Sequence, residues 1–290
     1  MLSSVSIMFG MIIDFHTHVA PPWLRDKRTE YIERDPCFHL LYSQPKAKLV
    51  TAGELIASMD ETGIDKSVIL NLGWVDHQLC VETNDYILES VSRYSDRLIG
   101  FCSIQPKVGE AAVVELERCI ANGIRGIGEM RSDVQGFDLA DAEVMRSIVE
   151  VAVKHNLVFL THASEPVGHQ YSGKGDITPQ ILYPFIVNFP DLKLVCAHWG
   201  GGLPFYALMP EVAAALTNVF VDTAATPFLY RPQIFKEVGD IIGADKILFG
   251  SDYPLLSQRR VVNEISSAVL DEGDKAKILG DNARRLLSLP

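Results

Sequence analysis

The chain has 290 residues, of which 48% are apolar and 22% charged, and its formal net charge is −11. That length suits a single large α/β domain with a sizeable core, while the acidity excludes a nucleic-acid backbone as the main partner, since phosphate binding needs a basic surface. Five cysteines at 37, 80, 102, 119 and 196 form no CxxC pair, so they read as reduced core thiols of a cytoplasmic protein.

Residues 1–10 resemble a secretory leader only in their apolar character; they lack its positively charged start and read as an extension or a late start site. No apolar run reaches the length of a membrane span, so no membrane partner is expected. "MIIDFHTHVA" (11–20) is an apolar run ending in His16 and His18. In a strand, residues i and i+2 share a side, so the two imidazoles can aim at one point, as a metal ion requires. The next segment, 20–50, is rich in proline, charge and aromatics and reads as a loop on the rim of the fold. From there one pattern recurs: a helix-like stretch, a Gly, Asn or Asp stop, then a short apolar run ending in a polar residue. "ETGIDKSVILN", "ANGIRGIGE", "KHNLVFLTH", "FPDLKLVCAH", "LTNVFVDT" and "GADKILFGSD" all show it.

Strands are thus predicted around Ile13, Val68, Phe101, Ile127, Phe159, Val195, Val221 and Phe249. Helical period joins Val113, Leu116 and Ile120 on one face, and Val144, Ile148, Val151, Ala152 and His155 on another. Eight strand–helix units predict an α/β fold, a (β/α)8 TIM barrel spanning 11–290 as one domain. A doubly wound open sheet is weakened by the lack of a GxGxxG turn after an early strand. A second rim loop is expected at 164–178, and residues 255–290 read as closing helices.

The strand ends carry the chemistry. His16, His18, Glu129, His162, His198 and Asp252 all fall at C-terminal ends of predicted strands, where barrel enzymes place their sites, and all are metal-binding types. Polar strand ends are common, which accounts for one or two of these but not the set. Arg131, two residues past Glu129, is a candidate for pairing a substrate carboxylate, with a surface ion pair as its alternative. Trp74, Trp199 and Tyr253 follow strand ends and are candidates for lining the pocket, or for rim packing. His39, His77, His155 and His169 are given no role, although 39 and 169 lie in rim loops.

Together, the HxH, the His after strand 5, "AHWGGG" after strand 6 and "FGSDYP" after strand 8 resemble the amidohydrolase superfamily, and the last two its amidohydrolase-2 branch. That resemblance runs from Ile12 to Pro254. It implies a cytoplasmic metal-dependent hydrolase using one or two divalent ions, zinc foremost, on a small-molecule amide, ester or lactone. His16, His18, His162 and Asp252 would be ligands, Asp252 would also handle the proton, and His198 would be a ligand or an acid/base. The same branch contains decarboxylases of the aminocarboxymuconate-semialdehyde type, so a carboxy-lyase acting on an aromatic or unsaturated acid is the alternative. Glu129 departs from the decarboxylase pattern. "GIGEM" is similar to the strand-4 glutamate of two-metal members, where a carboxylate bridges the ions; a hydrogen bond to a ligand histidine is the other reading. Self-association is left open.

Overall fold

A computed structural model describes residues 10–290, so the expected N-terminal extension lies outside it except for Gly10. Eight parallel strands run in chain order: β1 (Ile13–His18), β2 (Lys66–Leu70), β3 (Leu98–Cys102), β4 (Gly126–Met130), β5 (Val158–Thr161), β6 (Lys193–Cys196), β7 (Val219–Asp222) and β8 (Ile247–Leu248). The ring closes between the last and the first through Phe15 N–H to Phe249 O and His18 N–H to Tyr253 O, each 2.7 Å. This is the (β/α)8 barrel.

Alternation along the strands fills its interior. Ile13 and Phe15, Val68 and Leu70, Ile99 and Phe101, Val158 and Leu160 form one buried cluster, with Phe15 and Phe101 edge to face at 5.8 Å. Gly126 makes room for it, since a Cβ there would lie 2.5 Å from the Phe101 ring. The intervening residues face the helix layer, as Asp14 and Ser67 do when both bond Gln258 of the helix Gln258–Ser267.

Two strands break this alternation. Asp14 pairs with Ser67 but Thr17 with Ile69, and Ile127 pairs with Phe159 but Met130 with Thr161. Each break inserts one extra residue into β1 or β4, a bulge that reverses the phase of the side chains beyond it. Asp14 and Ile127 face the helix layer, yet His16 and Glu129, two residues on, reach the barrel mouth.

Segment 20–50 is not the irregular loop its proline content suggests. It holds three short helices, Pro22–Asp26, Arg28–Arg34 and Pro36–Tyr42. Asp35 caps the third by accepting from Cys37 and Phe38 N–H, with Pro36 at its first turn. Leu24, Tyr31, Cys37 and Phe38 are buried, and Phe38 stacks on Trp74 at 5.6 Å. Residues 164–178 form a second, non-helical rim segment. Helix Ala142–Lys154 buries Met145, Ile148, Val149 and Ala152, a stripe rotated from the expected one, with His155 beyond its end. All five cysteines are buried and unpaired. Among the described residues, no helix is long and apolar enough to cross a membrane.

Candidate active site

His16 and His18 meet at the C-terminal end of β1 with Nε2 atoms 3.1 Å apart. Asp252 Oδ1 stands 3.7 Å from the first and 3.5 Å from the second. Glu129 enters from β4. Its Oε2 lies 3.7 Å from His18 Nε2, while Oε1 lies 2.9 Å from His162 Nδ1 and 3.5 Å from His198 Nε2. The structure therefore brings all six candidate ligands into one cluster. Five of them offer donor atoms within 4.8 Å of one another in two overlapping groups, His16–His18–Asp252 and His16–Glu129–His198, while His162 has its two ring nitrogens on Glu129 and Ser164.

Three devices hold the cluster. His16 Nδ1–H donates to Asp222 Oδ2 at 2.8 Å, which turns Nε2 toward His18. Asp222 ends β7, is fully buried, and also accepts from the backbone N–H of His198 and of Ala224. The second device is the turn "HWGGG", where His198 and Trp199 sit at φ 54° and 59°, in the left-handed region. Non-glycine residues reach that region at a cost, and here the Asp222 hydrogen bond opposes it. Gly201 must be glycine, because a Cβ would come 2.2 Å from Ser164 O. The third is Ser164, whose hydroxyl lies 3.1 Å from His162 Nε2 and accepts from Gly175 N–H.

Electrostatics follow from burial and these partners. Burial lowers the pKa of His18, and neighbouring His16 lowers it further. Burial, then Arg131, pushes His162 down to about 4. Burial also opposes charge on His16, but Asp222 outweighs it and raises that pKa to about 10. Glu129 stays ionised against its burial because His162 and His198 hold its charge. His18 and His162 are neutral imidazoles beside ionised carboxylates, the donor chemistry of Zn²⁺, Mn²⁺ and similar ions, and at His16 a bound ion would take the place of the second proton that Asp222 favours. The residues therefore fit a divalent ion, held by His16, His18 and Asp252.

A cavity of about 430 Å³ opens over the cluster. Leu41, Tyr42, Leu72, Phe228, Leu229 and Leu255 supply apolar wall, and Arg131, His169 and Tyr171 polar wall. Three expected lining residues are elsewhere. Trp74 is fully buried under Phe38, its Nε1–H donating to Asn71 Oδ1 at 3.0 Å. Trp199 is fully buried and donates to Thr226 Oγ1 at 2.8 Å. Tyr253 bonds Ser58 and packs on the outer core, although Asp252 and Pro254 on either side line the cavity. In each case an internal hydrogen-bond partner took the polar tip of the ring. Arg131 is a buried cation and not a surface ion pair: it is 1% exposed and meets Asp133 Oδ2 at 3.0 Å.

Barrel, strand-end donor groups and cavity define an enzyme of the barrel class whose donor set could hold a divalent ion. The amidohydrolase family model matches residues 13–289, and the chain belongs to that family. It is similar to the 2-amino-3-carboxymuconate-6-semialdehyde decarboxylase of Dictyostelium discoideum, at 25% identity over 96% of this chain and 91% of that one. It is also 25% identical to the gamma-resorcylate decarboxylase of Rhizobium radiobacter, over 80% and 85% of the two chains. Among solved structures, the 5-carboxyvanillate decarboxylase of Novosphingobium aromaticivorans, complexed with manganese and 4-hydroxy-3-methoxy-5-nitrobenzoic acid, superposes with a TM-score of 0.82. It is 21% identical, with 99% of each chain covered. These likenesses correct the expected reaction. The relatives are named for decarboxylation, and hydrolysis of an amide, ester or lactone is set aside on that ground.

Proposed function

We propose that the protein is a metal-dependent, non-oxidative decarboxylase of an aromatic or unsaturated carboxylic acid. The observation that carries this reading is the mostly apolar cavity of about 430 Å³ set directly over the His16–His18–Asp252 donor group. Such a cavity takes a flat apolar body and presents its acid group to the charged end. It is joined by the names of the relatives above.

A divalent ion bound there would supply positive charge for the anionic oxygens of the substrate. The chain's own groups then have separate tasks. His16, His18 and Asp252 would hold the ion, with Asp222 orienting the His16 ring as a hydrogen-bonded carboxylate does. Leu72, Phe228 and Leu255 line the cavity and would pack against the ring. Asp252 or His198, both on the cavity wall, holds the proton that the ring carbon takes as its bond to the carboxylate breaks. The bonding pair returns to the ring, and CO2 leaves. Per turnover one carboxylate anion and one proton become one CO2 and the decarboxylated product.

Glu129 bears on metal number. Its two oxygens face different histidines, so it has the placement of a bridge between His18 on one side and His162 and His198 on the other. A decarboxylase needs one ion; two ions per chain would make Glu129 a bridge. The deciding assay supplies hydroxybenzoates and carboxymuconate-type acids to enzyme reconstituted with manganese or zinc, and follows CO2 and metal content. The expected result is CO2 release that stops on chelation. A metal-loaded enzyme that releases CO2 from no acid of the panel overturns the reading.

A further inference from the structure

The cavity over the cluster is larger than one acid-bearing ring requires. A cavity of about 150 Å³ holds benzene, and each bound water takes about 30 Å³. A volume of about 430 Å³ therefore leaves room for a second body of ring size. That room lies toward the mouth. Glu129, His162, His198 and Leu72 are buried and set the deep end, whereas Phe228 and Leu255 line the same cavity at 50% and 60% exposure. Single exposed apolar side chains are ordinary, but these two join Leu229 and Pro254 in one wall continuous with the ligand space. The wall is rigidly built. Phe228 N–H donates to Ala225 O at 2.9 Å and Tyr230 N–H to Thr226 O at 3.0 Å, while Thr226 Oγ1 accepts from Trp199. The Arg260 guanidinium backs the Phe228 ring, 5.6 Å from its centre. Leu255 N–H donates to Asp252 O at 2.8 Å, and Asp252 N–H to His16 O at 2.9 Å, so this wall is anchored to the ligands. The exposed lining residues of the other rim segments, Gln44, Lys48, His169 and Ser172, are polar. The apolar side of the mouth is thus confined to the loops after β7 and β8.

We propose that the substrate carries an apolar substituent about the size of a second ring, and that the outer parts of Phe228 and Leu255 bind it. The natural substrate is then an aryl- or alkyl-substituted acid. This rests on the decarboxylase reading. The departing carboxylate takes the charged deep end, the unsaturated body lies against Leu72, and the substituent continues outward along the wall. A charged or hydroxylated substituent would lose water there and gain no partner. An apolar one gains roughly fourfold in affinity for each methylene buried. The contact is remote from the breaking bond and equal in ground and transition states, so it lowers KM and leaves kcat unchanged.

The test is binding to the manganese-loaded enzyme, read by calorimetry, with benzoate against 4-butylbenzoate and the biphenyl-3- and biphenyl-4-carboxylates. At least one substituted acid should bind about 10- to 100-fold tighter than benzoate, the effect of burying two or three methylenes. The double change Phe228→Ser/Leu255→Ser should cut that ratio by about fivefold or more, as one methylene or more of burial is lost. Leu208→Ser, at an exposed apolar residue outside the cavity lining, should leave the ratio as it is. Melting temperature, metal content and association state are read on every variant. The proposal is overturned if no substituted acid binds better than benzoate, or if the ratio survives in the folded, metal-loaded double variant. It is also overturned if the ratio is near one and the double variant changes the association state, because a second copy of the chain then covers this wall. CO2 release is followed separately. A ratio lost with Phe228 and Leu255 but no CO2 from any acid would sink the decarboxylase reading and keep the apolar-acid site. CO2 release with a ratio near one would sink the substituent alone.

Discussion

Asp252 holds its carboxylate within 3.7 Å of both β1 histidines while its backbone sits at φ 62°. Asparagine tolerates that left-handed conformation as well as aspartate does, so Asp252→Asn keeps the shape and a carbonyl ligand and removes the group that carries a proton. We predict partial metal retention with kcat lower by roughly 10²–10⁴, the usual contribution of a positioned acid or base. Retention of more than about a tenth of kcat, far above that range, would show that the proton is held elsewhere, with His198 next to be tested. Asp222→Asn addresses the other face of the cluster. It removes the charge behind His16 without touching the ion, so metal affinity should fall by about 10- to 100-fold as for other supporting partners of ligand histidines. A metal titration giving the wild-type affinity would limit Asp222 to holding the "HWGGG" turn. The six clustered residues were legible because each ends an apolar run. Asp222 also ends one, in "VFVDT", but its partner is a ring nitrogen 206 positions away in sequence, which no local pattern displays. Trp74 and Trp199 carried the opposite ambiguity, since an aromatic after a strand can turn either to the cavity or to the core.

Secondary-structure elements were legible by period, but the phase within two of them was not. In β1 an unbroken alternation that buries Ile13 and Phe15 in the barrel would send His16 and His18 to the helix layer. The bulge before Thr17 reverses this, and the one before Met130 does the same for Glu129. A bulge is fixed by pairing with neighbouring strands, which the sequence of one strand does not contain. The helices of 20–50 were hidden similarly: they are short, and their burial depends on Trp74 and Leu79 beneath them. One helix also carries an electrostatic device. On Glu110–Ala121, Glu115 is buried and accepts from Asn84 Nδ2 at 2.7 Å and from Arg118 Nε at 2.7 Å. Asn84 in turn bonds Ser103 N–H and Asn71, tying the helix to the ends of β2 and β3. Burial opposes charge on Glu115, yet Arg118 and Asn84 hold its pKa below the ordinary 4.5. A depressed folded pKa means that this contribution to stability is complete above pH 4.5 and is lost as the pH falls through the folded value. Glu115→Gln should therefore cost about 1–3 kcal/mol at pH 7, and the gap from wild type in urea unfolding should narrow below pH 4. A gap that stays constant to pH 3 would show that shape, not charge, sets the cost.

At the scale of the whole molecule, the barrel separates stability from chemistry. The interior cluster is apolar and closed and the helix layer is mostly apolar with its buried polar groups paired, while every candidate ligand lies at the C-terminal mouth, as in other barrels of this kind. That division made the architecture readable from eight spaced runs, and it left the substrate unreadable, because the cavity wall comes from segments as distant as 41–48, 169–173 and 225–229. The net charge of −11 sets a further condition on any acidic substrate. A carboxylate approaching from solution meets a repelling field before it reaches Arg131 or a bound cation. At low ionic strength the screening length is about 30 Å, comparable with the protein, and at physiological salt it is about 8 Å. The long-range repulsion is then screened, while contacts inside the cavity are screened much less. We therefore predict that kcat/KM for an anionic substrate rises by about two- to fivefold between 10 and 150 mM salt, a modest instance of charge-governed encounter, with kcat unchanged. A dianionic substrate should show a steeper rise than a monoanionic one, because each charge meets the same field. Measured kinetics in which kcat/KM falls with salt would mean that the cationic groups of the mouth, Lys48 and Arg131 among them, already dominate the field along the approach and steer the acid inward.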